Sequence, residues 1–577
     1  MKVNILNISL IEYAIYSVTS ASIVTTPNRI MKRQYTFSEV PLDYSNPTGN
    51  EAVVPLIKLA ASTNSSTGPY AGMILTNPGG PGNSGVDSVL TYGGLLQSLI
   101  GANYDIVAFD PRGIGRSIPL ANCSATSTTK RRSAEVSGPD FGPSFLNSTL
   151  TSALALGQEC EATIGGVDGV GTLMTTAINA RDMISIADAF ARTVDDTISF
   201  NASLVNYWGF SYGSLLGQTF ASMFPDRVGR FVLDGVVGTD TWLSALGTNS
   251  LNYTDQAFAS FFDSCHLAGP QNCSYYTGNT RDDIYNRFEK TFNFFDATQA
   301  EAQNLTSAPL IETALENLKT LFDESAYYPI AFYPILSDIL VSLEAATANF
   351  SAEAFQNIEL QLQERLSTVQ NVPTSVSGLA EWYPAVACSD ADGSARNMSL
   401  ADIEQYVDTL RDQSIIEGEI WSELRIQCSM WPISSQDRFS GPFGGTTKTP
   451  MLFVSNTVDP ATPIGNGQKS VKNFAGARLL TIDGVGHTSL GPLNSCAFQH
   501  IATYFQTGVL PSSDMFCSIE AGAFGVTLTS NSSIGWKTNT SSASTPTTST
   551  SASSKRELAT SLGCFTTVAT IVATLLL

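Results

Sequence analysis

Histidine is scarce in this chain, with three in 577 residues, and positive charge is thin, with 30 Lys and Arg against 51 Asp and Glu. A formal net charge of −21 leaves no basic footprint for a nucleic acid. No cysteine or histidine spacing matches a zinc site, so metal chemistry has no motif to rest on. No internal repeat is apparent. Charged residues make up 14% and hydrophobic ones 43%, a globular composition. The length exceeds one ordinary core, which predicts a large domain with a big insertion, or two domains.

The ends are biased in composition. Met1-Lys2 leads a mostly apolar stretch to Val18, and Thr19-Ser20-Ala21 fits a cleavage site, so residues 1–21 read as a signal peptide. Lys32-Arg33 suits later trimming after 33. Residues 528–557 read as a Ser/Thr-rich stalk, with 13 Ser or Thr among the 17 residues 538–554. Residues 558–577 form an apolar tail matching a glycolipid (GPI) anchor signal, with a plain membrane span as the alternative. Eight cysteines precede the stalk, and nearest-neighbour pairing gives Cys123–Cys160, Cys265–Cys273, Cys388–Cys428 and Cys496–Cys517. Together with eleven Asn-x-Ser/Thr sequons, these predict a secreted or cell-surface protein whose only membrane link is the C-terminal tail.

Gly209-Phe210-Ser211-Tyr212-Gly213 follows the strand-like run Leu204–Trp208 and precedes a helical run. A serine between glycines at a strand-to-helix turn is the nucleophile elbow of α/β-hydrolases. The turn is too tight for side chains two residues either side, and it lifts the hydroxyl above the sheet edge. Around it, residues 35–44 and 52–61 predict an antiparallel pair. Apolar runs at 72–75, 105–109, 230–233, 451–454 and 478–482 predict doubly buried parallel strands. Thr175–Ala191 and Ser495–Phe505 read as helices. The expected fold is α/β, a mostly parallel sheet of the α/β-hydrolase type. Its core spans 35–240 and 441–520, interrupted by a helical cap over 241–440.

A serine needs a base. His266 lies in the cap and His500 in the last helix, whereas His487 sits in the Gly-rich loop Gly484–Thr488 after the last strand, so His487 is the expected base. Asp459, at the end of the 451–458 run, is the expected orienting acid, with Asp234 and Asp483 as competitors. An oxyanion hole needs two N–H groups. Tyr212 supplies one, and the loop Asn77–Gly82, through Gly79 or Gly80, supplies the other. Asp110–Ser117 reads as a structural turn whose Arg112 braces the site, not as a catalytic element. A serine at the elbow disfavours an aspartate-nucleophile hydrolase. No metal or organic cofactor is required.

Asn77–Gly82, Asp110–Ser117, Gly209–Gly213, Asp459–Pro463 and Gly486-His487 together resemble the secreted tripeptidyl/prolyl aminopeptidase family of serine peptidases. The resemblance spans about 35–520, and Cys388, Cys428–Pro432 and 440–517 resemble the family's TAP-like C-terminal part. It implies cleavage of short peptides from their N-terminus through an acyl-enzyme on Ser211. It also implies cap carboxylates that hold the substrate ammonium, for which Glu381, Asp390 and Asp392 are the candidates. A carboxylic-ester hydrolase with the same triad is the alternative, and a catalytically inactive surface adhesion or receptor domain is a third reading. Oligomeric state is not legible.

Overall fold

The computed structural model describes residues 33–528 except 65–66, 125–144, 167–168, 195–199, 246, 294–317, 319–320, 349–350, 369–380, 415–416 and 436. The segments expected to be a signal peptide, stalk and anchor tail, and the sequons at 304 and 349, lie outside the described residues.

Nine strands form one sheet in the order β1-β2-β4-β3-β5-β6-β7-β8-β9. They are β1 (Arg33–Pro41), β2 (Glu51–Leu59), β3 (Met73–Asn77), β4 (Asp105–Phe109), β5 (Val205–Phe210), β6 (Val228–Asp234), β7 (Leu452–Val458), β8 (Arg478–Val485) and β9 (Met515–Cys517). β1 and β2 pair antiparallel, as their alternating patterns predict, and β2 joins β4 antiparallel; all other pairs are parallel. This is the α/β-hydrolase arrangement expected from the sequence. The short β9 was not anticipated.

The period of two explains why the central strands read as unbroken apolar runs. Ile74, Ile106, Trp208, Val232, Leu452 and Leu480 point to one face, where α1 (Gly85–Ile100) packs. Leu75, Val107, Tyr207, Phe231, Phe453 and Leu479 point to the other, where α3 (Thr176–Ala191) and α4 (Tyr212–Met223) pack. α2 (Phe145–Ile164) precedes α3. With helices on both faces, strands β3 and β4 are buried throughout.

After β6 the chain leaves the sheet, and no described residue from 235 to 444 is in a strand. The helices there are α5 (Thr239–Leu243), α6 (Thr254–Ala268), α7 (Arg281–Asn293), the helical residues 321–327, α8 (Pro329–Ala348), α9 (Ala352–Thr368), α10 (Trp382–Asp390), α11 (Leu400–Gln413) and α12 (Gly418–Met430). α8 is apolar and long enough to cross a membrane, yet Phe332, Leu336, Ile339, Leu340 and Leu343 are buried in a core shared with α6, α7 and the sheet. α13 (Ile464–Ser470) and α14 (Ser495–Thr507) complete the returning part. All four nearest-neighbour cysteine pairs are bonded: 123–160, 265–273, 388–428 and 496–517. Arg112 is fully buried; its guanidinium pairs with Asp182 at 2.6 Å and donates to the Leu42 carbonyl, tying β1 to α3.

β3 lies between β4 and β5, so the chain runs to opposite sides of it in successive crossovers. Open parallel sheets bind ligands at such a switch point, outside the carboxyl ends of the strands. The loop after β3 and the turn after β5 meet there.

Candidate active site

The β5–α4 turn has the strain its glycines forecast. Ser211 sits at φ 54°, ψ −123°, a left-handed conformation that costs about 1–3 kcal/mol for a non-glycine. Its N–H donates to the Asp234 carbonyl at 2.8 Å, fixing the turn to the next strand. A Cβ at Gly209 would lie 2.4 Å from the Gly213 oxygen, and one at Gly213 would lie 2.7 Å from the Asn77 oxygen. Both glycines are sterically required.

His487 follows β8 in the predicted loop and is buried. Its Nδ1 lies 2.9 Å and 3.0 Å from the two carboxylate oxygens of Asp459, which follows β7. Asp459 is fully buried and also accepts from the N–H groups of Ala461, Thr462 and Thr488 and from the Thr462 hydroxyl. Burial pushes its carboxyl up, but the His487 charge and hydrogen bond, then those N–H groups, outweigh it and hold the carboxyl below its ordinary value. With Nδ1 committed, Nε2 is buried without a hydrogen-bond partner among the described residues, the free lone pair a general base needs. Imidazole and serine flank one corner. The Asp234 carbonyl binds the Ser211 amide, and a Cβ on the next residue, Gly235, would lie 3.3 Å from His487 Cε1.

The competitors are occupied elsewhere. Asp234 accepts from the Ser489 N–H at 2.8 Å, the Ser489 hydroxyl at 2.6 Å and the Trp208 indole at 3.1 Å. Asp483 accepts from Thr457. His266 stacks on Tyr276, and His500 lies on α14 beside the Cys496–Cys517 disulfide.

Gly79 packs against the nucleophile, where a Cβ would lie 2.8 Å from that of Ser211. Its N–H is taken by the Asn77 side chain at 3.0 Å. Gly80, at φ 103°, is exposed. The Tyr212 N–H is the first of α4, where helices leave amides without an intrahelical acceptor.

The three carboxylates expected to face a substrate ammonium are held otherwise. Glu381 accepts from the Cys123 N–H at 2.7 Å. Asp390 accepts from the Thr176 N–H and hydroxyl and from the Trp242 indole at 3.0 Å, and burial pushes it up to about 6. Asp392 is exposed and closes its own turn on Ser394.

A different acidic pair lies in the cap, Asp323, which feels the His487 charge, and Glu417, which feels Asp323. Asp323 lies one helical turn before Tyr327, whose ring meets His487 edge-on at 4.8 Å. Burial, then Glu324, push Asp323 up to about 7, while the His487 charge opposes them. Glu417 is raised well above its ordinary value by burial, then by Asp323 and Asp255. Sequence reasoning missed both. Their only signal is negative charge in the cap, which is common on any surface.

A strained elbow serine, an Asp-held imidazole with a free nitrogen and a glycine-lined loop beside them on an α/β-hydrolase sheet define a serine hydrolase. Residues 72–263 match the α/β-hydrolase fold family, and residues 414–517 match the TAP-like protein family. The chain is 27% identical over 496 residues to a tripeptidyl aminopeptidase of Streptomyces lividans, covering 84% of this chain and 83% of that protein. It is 24% identical over 501 residues to serine protease Hip1 of Mycobacterium tuberculosis (83% and 86% covered) and 25% identical over 488 residues to carboxylesterase B of the same species (83% and 85% covered). The chain therefore has the α/β-hydrolase fold and is similar over most of its length to TAP-like serine peptidases.

Proposed function

We propose that the protein is an exopeptidase that removes N-terminal residues or short peptides through an acyl-enzyme on Ser211. In this reading His487 Nε2 takes the serine proton as Oγ attacks the scissile carbonyl, then returns it to the departing amine; water repeats the cycle to release the acid. Asp459 keeps the proton on Nδ1 and stabilises the imidazolium. The N–H groups of Tyr212 and Gly80 receive the oxyanion, since the Gly79 N–H is committed to Asn77. Asp323 and Glu417 hold the substrate ammonium, in place of Glu381, Asp390 and Asp392. Neither metal nor organic cofactor enters any step.

The cap carboxyls Asp323, which feels the His487 charge, and Glu417, which feels Asp323, are the observation that favours peptides with a free amine, because desolvated carboxyls are costly unless a cation answers them. The named tripeptidyl aminopeptidase relative supports the same substrate class. A carboxylic-ester hydrolase is the second reading, supported by the relative of that name. Free and N-acetylated aminoacyl and tripeptidyl arylamides, compared with aryl esters, test the choice. Among the arylamides, kcat/KM is expected to be far higher with a free amine than with an acetylated one, and equal kcat/KM for acetylated substrates would end the exopeptidase reading. The four disulfides support a secretory route.

A further inference from the structure

Tyr327 ends the helical residues 321–327 of the cap, yet it touches His487 twice. Its carbonyl accepts the His487 N–H at 2.8 Å. The His loop is cut away to admit that carbonyl: a Cβ at either Gly486 or Gly491 would stand 2.8 Å from the Tyr327 oxygen. Its ring then meets the imidazole at 4.8 Å and 64°, an edge-to-face contact. The imidazole also lies close to Gly235, where a Cβ would stand 3.3 Å from Cε1. The Asp459 hydrogen bonds hold Nδ1 but leave the ring plane to be set by these two neighbours.

We propose that Tyr327 is the positioning residue through which the cap aims the imidazole of His487 at Ser211. The proposal rests on His487 being the base. Asp323 lies one turn earlier on the same short helix, so the element that would meet the substrate ammonium also carries the wall of the catalytic ring. A shift of about 1 Å in that wall is enough to cost about a hundredfold in rate.

The test measures kcat and KM for wild type, Tyr327→Ala, Tyr327→Leu and Tyr327→Phe on an aminoacyl arylamide and on an amine-free aryl ester. Thermal melting and fluorophosphonate labelling of Ser211 run alongside. Tyr327→Ala is expected to lose about ten- to a hundredfold in kcat on both substrates, with KM changed less than about threefold. Tyr327→Phe keeps the ring and backbone and restores kcat to within about threefold. Tyr327→Leu fills the space without a flat edge and loses kcat like Tyr327→Ala, which covers the case that the alanine variant does not fold. Wild-type kcat in a folded Ala or Leu variant overturns the proposal. So does a loss confined to KM for the amine substrate, which would place Tyr327 in the ammonium pocket. A wild type that neither turns over nor labels at Ser211 overturns the hydrolase reading and this proposal together.

Discussion

The carboxyl ends of β6 and β7 are neighbours in the sheet, and each presents a fully buried aspartate, Asp234 and Asp459. Burial raises both. At Asp234 the answering groups are hydrogen-bond donors from Ser489 and Trp208, with the His487 charge acting after them and without a hydrogen bond, and the carboxyl stays pushed up to about 6. At Asp459 an imidazole answers as well, and the carboxyl ends below its ordinary value. The difference shows that burial alone does not set a carboxyl's charge state; a directly hydrogen-bonded partner able to carry a positive charge does.

The largest break in this comparison is removal of the chemistry itself. Ser211→Ala or His487→Ala should lower kcat by about 10⁶-fold while the melting transition stays cooperative. Asp459→Asn should follow, losing about 10⁴-fold in kcat because the imidazole no longer has its Nδ1 proton held in place. Asp234→Asn should leave kcat within about tenfold but lower stability by about 1–3 kcal/mol, since its partners are structural. A larger loss of activity from Asp234→Asn than from Asp459→Asn would reverse the assignment.

Their pH dependence should have opposite sign. Asp234 holds a proton in the native state between its ordinary value of 3.8 and about 6, where the unfolded chain has released it. Its contribution is therefore largest below 3.8 and falls as pH rises through 6. The wild-type advantage in Tm over Asp234→Asn should shrink from about pH 4 to about pH 7. Asp459, held below its ordinary value, contributes above the unfolded pKa and is lost as pH falls through the folded one. The advantage over Asp459→Asn should grow with pH. The smallest effect belongs to Asp392→Asn, an exposed turn residue, with kcat/KM and Tm close to wild type.

What was legible in the sequence was whatever local chemistry dictates. Gly209, Ser211 and Gly213 announce a turn that only glycines permit, and the flanking apolar runs announce doubly buried strands. Strand ends were read short where pairing extends them: β5 continues through Phe210 because Gly209 and Phe210 pair with Leu233 and Asp234. The cap was a different matter. Whether a carboxylate faces a pocket or a backbone amide depends on contacts far along the chain. Glu381 meets Cys123, and Asp390 meets Thr176. Tyr327 reaches the imidazole, and Asp323 feels its charge, from a helical stretch whose local pattern announces only a helix.

The long insertion leaves the carboxyl end of β6 and returns to the amino end of its parallel neighbour β7, so its ends are fixed by the sheet whatever lies between them. Closing such an excursion costs only about 0.6 kcal/mol more for each doubling of its length. The hydrolase sheet can therefore accept grafted lids of very different size. One small condition travels with every transplant: it must bring its own oxygen for the His487 amide, or leave that proton buried and unanswered.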